Sequence, residues 1–273
     1  MTQARATFRF YAELNDFVAP ARRSGPFECD VPPAASAKHM IEALGVPHTE
    51  VELVLVNGET VGFEHPLRDG DRVSVYPQFE AFDVSPLLRV REHALRETRF
   101  VADAHLGGLA RLLRLLGFDT LFDNAFVDDA IERLSAAEHR IVLTRDRDLL
   151  KRRAITHGCY VRAMRNGEQL REVMDRLDLA GSARPFRLCL ECNTPLRRVE
   201  KADVADRLPP RVNARFERFT ACDGCGRVYW EGTHWMRMQS IVDAALAESV
   251  SSRGIKGRPA PPTPRPCRPP RSR

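Results

Sequence analysis

The 273-residue chain is predicted to be an α/β protein built on a parallel sheet flanked by helices, with a small α+β unit before it and a cysteine-held β module after it. Three observations predict this. Between residues 99 and 180 short apolar strands and amphipathic helices alternate four times; residues 1 to 80 carry alternating strands around a single helical stretch; and residues 185 to 247 hold two Cys-x-x-Cys pairs. A linker or short connecting helix is expected at 81 to 98 and a Pro/Arg-rich tail at 248 to 273.

The first unit opens with "ATFRFYAEL", passes through the helical "SAKHMIEALGV" and continues with "EVELVLVNGETVGF" and "GDRVSVYPQF". Asn57-Gly58 between apolar runs is a hairpin signal, since both residues tolerate the positive φ of a tight two-residue turn. One helix packed across such strands gives an α+β sheet. The segment resembles the β-grasp, ubiquitin-like domain of the ThiS/MoaD type, most clearly in "LVNGETV" and "LRDGDRVSVYP". Sulfur carriers of that type end in Gly-Gly, whereas this chain runs on into "QFEAFDVSPLLRVREHALRE". The resemblance therefore implies docking of a protein partner and no carrier chemistry.

In the second unit the expected elements are strand 99–102, helix 105–116, strand 118–122, helix 128–138, strand 140–144, helix 147–153, strand 158–162 and helix 167–177. Leu106, Leu109, Leu112, Leu113 and Leu116 recur at helical spacing and lay one apolar stripe on the sheet. Strands separated by helices run parallel through right-handed crossovers, and ligands of such sheets bind beyond the carboxyl ends of the strands.

That rule gathers the acids. Asp103 follows the first strand, Asp123 the second, Asp128 and Asp129 begin the next helix, and Asp146 and Asp148 follow the third strand. Aspartate also caps helices and complements their dipoles, which is the favoured reading for Asp123 and for one of Asp128 and Asp129. Asp103 and Asp146 at neighbouring strand ends are harder to explain as caps, because unit charges 4 Å apart repel by about 4 kcal/mol at an effective dielectric near 20. A cation relieves that repulsion. Oxygen donors, with only His105 as an exception nearby, favour Mg²⁺ or Mn²⁺, which activate water and stabilise a departing oxygen in phosphodiester cleavage. Arg145, Arg147, Lys151, Arg152 and Arg153 flank the acids; they read either as a phosphate-binding set or as a solvated helix face.

Cys189-x-x-Cys192 and Cys222-x-x-Cys225 are separated by 29 residues, and "CDGCG" supplies a knuckle glycine. Two such pairs point to a closed tetrahedral Zn²⁺ site that stabilises folding. Tyr229, Trp230, His234 and Trp235 beside Arg227 and Arg237 suit a miniature core better than a base-stacking surface. Cys29, Cys159 and Cys267 receive no role.

Together "FVADAHLGGLARLLRLLGFDT", "VDDAIERLSAAEHRIVLTRDRDL" and "CLECNTPL…CDGCGRVYWEGTHWMRM" resemble the Mut7-C RNase domain, a PIN-like nuclease fold with its own zinc ribbon. The resemblance implies metal-dependent cleavage of RNA. It carries the metal-binding acids over to Asp103, to Asp128 or Asp129, and to Asp146 with Asp148, the last pair standing in a T-x-D-x-[DE] motif; Asp123 matches none of these positions.

The net charge of +5 resides in the tail: the last 23 residues hold seven Lys or Arg and no acid, which leaves −2 for residues 1 to 250. With seven prolines there, the tail is expected to be a disordered basic extension. No apolar run approaches the roughly 18 residues of a membrane span, and the N-terminus lacks a signal-peptide pattern, so a soluble, cytoplasmic protein is expected. The competing expectation is a non-catalytic RNA-binding adaptor in which ribbon and tail bind RNA, the β-grasp domain docks a partner, and the acids only cap helices.

Overall fold

The computed structural model describes residues 4–77 and 98–255; the linker expected at 81–98 falls almost wholly outside the described residues. The N-terminal unit contains β1 (Ala4–Phe10), β2 (Phe27–Val31), α1 (Ala37–Ala43), β3 (Leu53–Val56), β4 (Glu59–Val61) and β5 (Arg72–Tyr76). Its sheet runs β2-β1-β5-β3-β4, with β1 and β5 parallel and the other neighbours antiparallel. Asn57 and Gly58 adopt φ of 53° and 90° between β3 and β4, as the hairpin signal requires. Phe8, Leu14, Ile41, Val54 and Val75 form the centre of this unit's own core.

The second unit contains β6 (Phe100–Ala102), α2 (Gly107–Leu115), β7 (Thr120–Phe122), α3 (Asp128–Glu138), β8 (Ile141–Thr144), β9 (Gly158–Tyr160) and α4 (Asn166–Arg176). The four strands are all parallel in the order β7-β6-β8-β9. Leu106, Leu109, Leu113 and Leu116 are fully buried in the main core, so the leucine stripe does face the sheet. Gly117, at φ 88°, brings the end of α2 against the backbone of Arg184, where a side chain would collide. The amides of Arg184 and Phe186 donate to the carbonyls of Leu116 and Leu115, which holds the chain against the end of α2 on its way to the third unit.

Two expectations fail in this unit. The helix expected at 147–153 is only a 3-10 turn at Leu149–Lys151. Arg152 is already extended, Leu149, Leu150 and Ile155 are buried, and the short segment must deliver the chain to β9, leaving no room for further helical turns. The helix expected from 105 starts as a 3-10 turn at Ala104–Leu106, capped by Asp103, before α2 proper.

The third unit adds β10 (Leu196–Val199), α5 (Pro210–Arg215), β11 (Phe219–Cys222), β12 (Val228–Trp230) and α6 (Thr233–Ile255). Its antiparallel sheet is ordered β10-β11-β12. Val204, Leu208 and Phe219 make a small core that includes half-buried Trp230, while Met238 and Val242 of α6 join the main core. Helix α6 continues through residues 248–255, so the boundary expected at 247 falls inside it; the rest of the tail lies outside the described residues. Among the described residues no helix is long and apolar enough to cross a membrane.

The cysteine module sits at the amino ends of the parallel strands. Arg114 of α2, 3% exposed, donates to the carbonyls of Thr120, Leu190 and Glu191 at 2.9, 3.0 and 2.7 Å. Asn193 accepts from the Thr120 amide at 3.0 Å and donates to Asp119. Arg140, before β8, forms a two-pronged pair with Asp119 at 2.8 and 3.0 Å. Burial alone would raise the Asp119 carboxyl, yet hydrogen bonds from Arg140 and Asn193 hold it below the ordinary carboxylate range.

The N-terminal unit packs on the opposite flank, against edge strand β9. Glu50, fully buried, accepts from the Tyr160 amide at 2.6 Å and pairs with Arg176. His48 lies between the Glu42 carboxylate at 2.7 Å and the Ile155 carbonyl at 2.9 Å. A carboxylate thus satisfies the outer N–H of the edge strand, a site that otherwise invites pairing with another chain.

Candidate active site

The carboxyl ends of β6 and β8 are adjacent, with Ala102 opposite Leu143 in register. The next residues, Asp103 and Thr144, are therefore neighbours. The buried Thr144 hydroxyl donates to Asp103 Oδ2 at 2.7 Å and accepts from the Asp146 amide at 2.9 Å. Asp103 Oδ1 accepts from the Ala104 amide at 2.6 Å, and Asp146 Oδ1 from the amides of Asp148 and Leu149 at 2.7 and 3.4 Å. Each acid is locked by one oxygen into the turn that follows its strand. Among the described residues no hydrogen bond reaches Asp146 Oδ2, and Asp146 is exposed. Thr144 carried no functional expectation from sequence; its signal was only its place in the T-x-D stretch.

The other acids are engaged differently. Asp128 and Asp129 lie in the first turn of α3, with Val127 in the cap position, so neither caps the helix as expected for one of them. Both are paired with Arg152, at 3.1 and 2.6 Å, and Glu132 joins them at 2.9 Å. The hydrogen bond from Arg152 holds the Asp129 carboxyl below its ordinary range. Asp148 is paired with Lys151 at 3.1 Å, and Asp123 accepts from the Ala125 amide at 2.8 Å in an exposed turn. Of the expected cations, Arg145, next to Asp146 in sequence, is half-buried, and Lys151 is bound to Asp148. Arg147 is turned away from the acids: its guanidinium carbon lies 5.0 Å from the Phe17 ring and 5.4 Å from the Tyr160 ring, and Nη2 donates to the Asp16 carbonyl at 3.4 Å. In this placement Arg147, expected to hold substrate phosphate, is engaged by the N-terminal unit.

Gly107 and Gly108 open α2 at the same edge. A side chain on Gly107 would meet the Phe122 ring, and one on Gly108 the Asn166 amide, so Gly107 lets the start of α2 close on the end of β7 and Gly108 lets it close on the start of α4.

Among the described residues, Cys189, Cys192, Cys222 and Cys225 are the group of three or more His, Cys, Asp or Glu whose donor atoms all lie within 4.8 Å of one another. Tetrahedral Zn–S bonds of about 2.3 Å place sulfurs about 3.8 Å apart, close to the 3.6 Å between Cys189 and Cys225 and the 3.2 Å between Cys192 and Cys222. The four thiols fit a closed metal site. Tyr229 is hydrogen-bonded to Cys189 at 3.1 Å and Trp235 stacks on Phe186 at 5.1 Å, so these aromatics serve the module's packing. The aspartates do not form so tight a set. Two carboxylates with water and phosphate oxygens are nevertheless an ordinary way to hold Mg²⁺, and Asp103 with Asp146 supplies that donor chemistry.

Two family descriptions match the chain: "Mut7-C RNAse domain" over residues 98–242 and "Mut7-C ubiquitin" over residues 3–83. No curated protein matches it. Two solved structures are similar to part of it: H. volcanii small archaeal modifier protein 1, and a Pyrococcus furiosus protein described as molybdopterin converting factor, subunit 1. In each case the identity is 20%, the similarity covers 28% of this chain and 99% of that one, and the TM-score is 0.23.

Proposed function

Since the chain belongs to the Mut7-C RNAse domain family, we propose that it hydrolyses RNA phosphodiester bonds with a Mg²⁺ or Mn²⁺ ion held by Asp103 and Asp146, with Asp148 as an outer acid. The observation that carries this reading is the Thr144 hydroxyl, which joins the Asp103 carboxylate to the backbone amide of Asp146 at adjacent strand ends. When bound, the ion supplies an activated water and charge stabilisation at the departing oxygen. The residues do the rest. Thr144 holds the Asp103 carboxylate and the backbone of the Asp146 turn, and the amides of Asp148 and Leu149 hold the Asp146 carboxylate, so both acids are oriented before substrate arrives. Asp146 is exposed and, among the described residues, keeps one carboxylate oxygen without a hydrogen bond. Arg145, its neighbour in sequence, is assigned to hold a phosphate, and Lys151, through Asp148, keeps a second cation on the same rim.

Asp128 and Asp129 are assigned to Arg152 instead of the ion. Their three-way pairing with that guanidinium ties the start of α3 to the segment after Asp148. The four cysteines are proposed to hold Zn²⁺ as a structural ion.

Asp146→Asn tests the proposal. Cleavage of defined single-stranded and structured RNAs should fall at least about a hundredfold, with the melting temperature little changed. Unaltered cleavage by the purified variant would sink the reading. Stabilisation of the wild-type chain by Mn²⁺, dependent on Asp103 and Asp146 but without turnover, would favour the adaptor.

A further inference from the structure

We infer that the N-terminal β-grasp domain is a positioning module for the acid turn, acting through Asp16 and Phe17 on Arg147. The inference rests on the proposed metal site for its consequence, but its geometry stands independently.

Arg147 separates Asp146 from Asp148, and a free guanidinium there would have two carboxylates within easy reach. The N-terminal domain holds that guanidinium instead, and so anchors the turn that carries both acids. The Phe17 ring is flanked by two guanidinium groups, those of Arg147 and Arg162, each with its central carbon 5.0 Å from the ring centre. Tyr160 closes the cluster, edge-on to Phe17 at 5.3 Å. Arg162 is fastened in turn to the Asp16 carboxylate at 3.3 Å and to Glu172 at 3.5 Å. Arg147 therefore meets a rigid surface, and Asp16 adds a carbonyl acceptor for its Nη2.

The remainder of the contact prevents this surface from sliding. Glu50 binds the edge-strand amide of Tyr160 and the Arg176 side chain, and His48 reaches the Ile155 carbonyl, all within the chain that leads from the acid turn through β9 to α4. With Arg147 drawn to one side, the turn is free to fold Asp146 Oδ1 back over the amides of Asp148 and Leu149. In this arrangement Phe17 and Arg147 are positioning residues for Asp146. The partner that the β-grasp domain docks is the nuclease domain of its own chain.

The test uses the full-length protein and two measurements. In Arg147→Ala and in Phe17→Ala, hydrogen exchange at the Asp148 and Leu149 amides should quicken about tenfold, a factor equal to about 1.4 kcal/mol and within the range of a partly desolvated cation–π contact. The Mn²⁺ concentration giving half-maximal cleavage should rise by a similar factor, while kcat at saturating Mn²⁺ changes little. Phe17→Tyr, which keeps the ring, should behave as the wild type in both. Arg147→Ala leaves the β-grasp core intact and decides the matter should Phe17→Ala fail to fold. Unchanged exchange in Arg147→Ala overturns the inference, as does faster exchange with an unchanged Mn²⁺ requirement. If Asp146→Asn retains full cleavage, the metal-site reading fails on its own account, and the exchange measurement alone then decides whether the domain holds the turn.

Discussion

The two ends of the parallel sheet use the same residue types to opposite effect. At the amino ends, Asp119 is held by Arg140 and Asn193, and Arg114 spends its guanidinium on carbonyls of β7 and the cysteine knuckle. At the carboxyl ends, Asp103 and Asp146 are oriented by Thr144 and by backbone amides, with no arginine bound to either and no hydrogen bond to Asp146 Oδ2 among the described residues. An acid matched to a buried cation closes a structure. An acid held only by neutral donors keeps its charge for something else.

This contrast can be broken at several points. The largest effect belongs to the cysteines. Structural zinc in small finger peptides is worth about 10 kcal/mol or more at neutral pH, so Cys222→Ser should lose the metal, measured by atomic emission, and lower the melting temperature by more than about 10 °C. Cleavage should fall only in proportion to the folded fraction. Asp119→Asn should cost about 2 kcal/mol, because it takes the two-pronged carboxylate from buried Arg140 and leaves Glu138 and the Phe100 carbonyl as partners; denaturant unfolding reads this, and the cleavage rate should not change. A loss of activity comparable to that of Asp146→Asn would erase the distinction between the two ends.

Thr144→Val sharpens the comparison from the other side. It conserves volume in a fully buried position while removing the hydroxyl shared by Asp103 and Asp146. The expected cost is about 1 kcal/mol in stability and about tenfold in cleavage, measured on the same preparation. The smallest effect is a pH dependence. The folded-state Asp119 carboxyl lies below its unfolded value near 3.9, so its contribution is fully present above that value and is lost only as pH falls through the lower, folded one. Stability of the wild type and of Asp119→Asn should differ by a constant amount from pH 7 to 5 and converge in strong acid.

Much of this architecture was legible because it is local. The leucine stripe of α2, the Asn57-Gly58 hairpin and the strand-helix alternation each follow from the spacing of a few adjacent residues. Strand-end placement of Asp103 and Asp146 followed from topology alone. What could not be read were partners chosen across distance in sequence. Arg147 lies 131 residues from Asp16, and Arg152 more than 20 from Asp128 and Asp129. Nothing in the run of charges around Asp146 marks Arg147 as the arginine that stacks on another domain. The helix expected at 147–153 failed for a related reason. Its polar residues tolerate helix, but Asp146 bonds the local backbone and the buried Ile155 pulls the chain toward β9.

The order of synthesis gives the knuckle at the amino ends of the strands a temporal role. Every strand of the parallel sheet leaves the ribosome before Cys189, and Arg114 must wait for the carbonyls of Leu190 and Glu191 that will accept its hydrogen bonds. The thiols then emerge one pair after the other, and at about 5 to 20 residues per second the interval from Cys189 to Cys225 is a few seconds. The carbonyls that Arg114 needs are therefore among the last partners of the sheet to be made, and Met238 and Val242 of α6 follow the final cysteine into the main core.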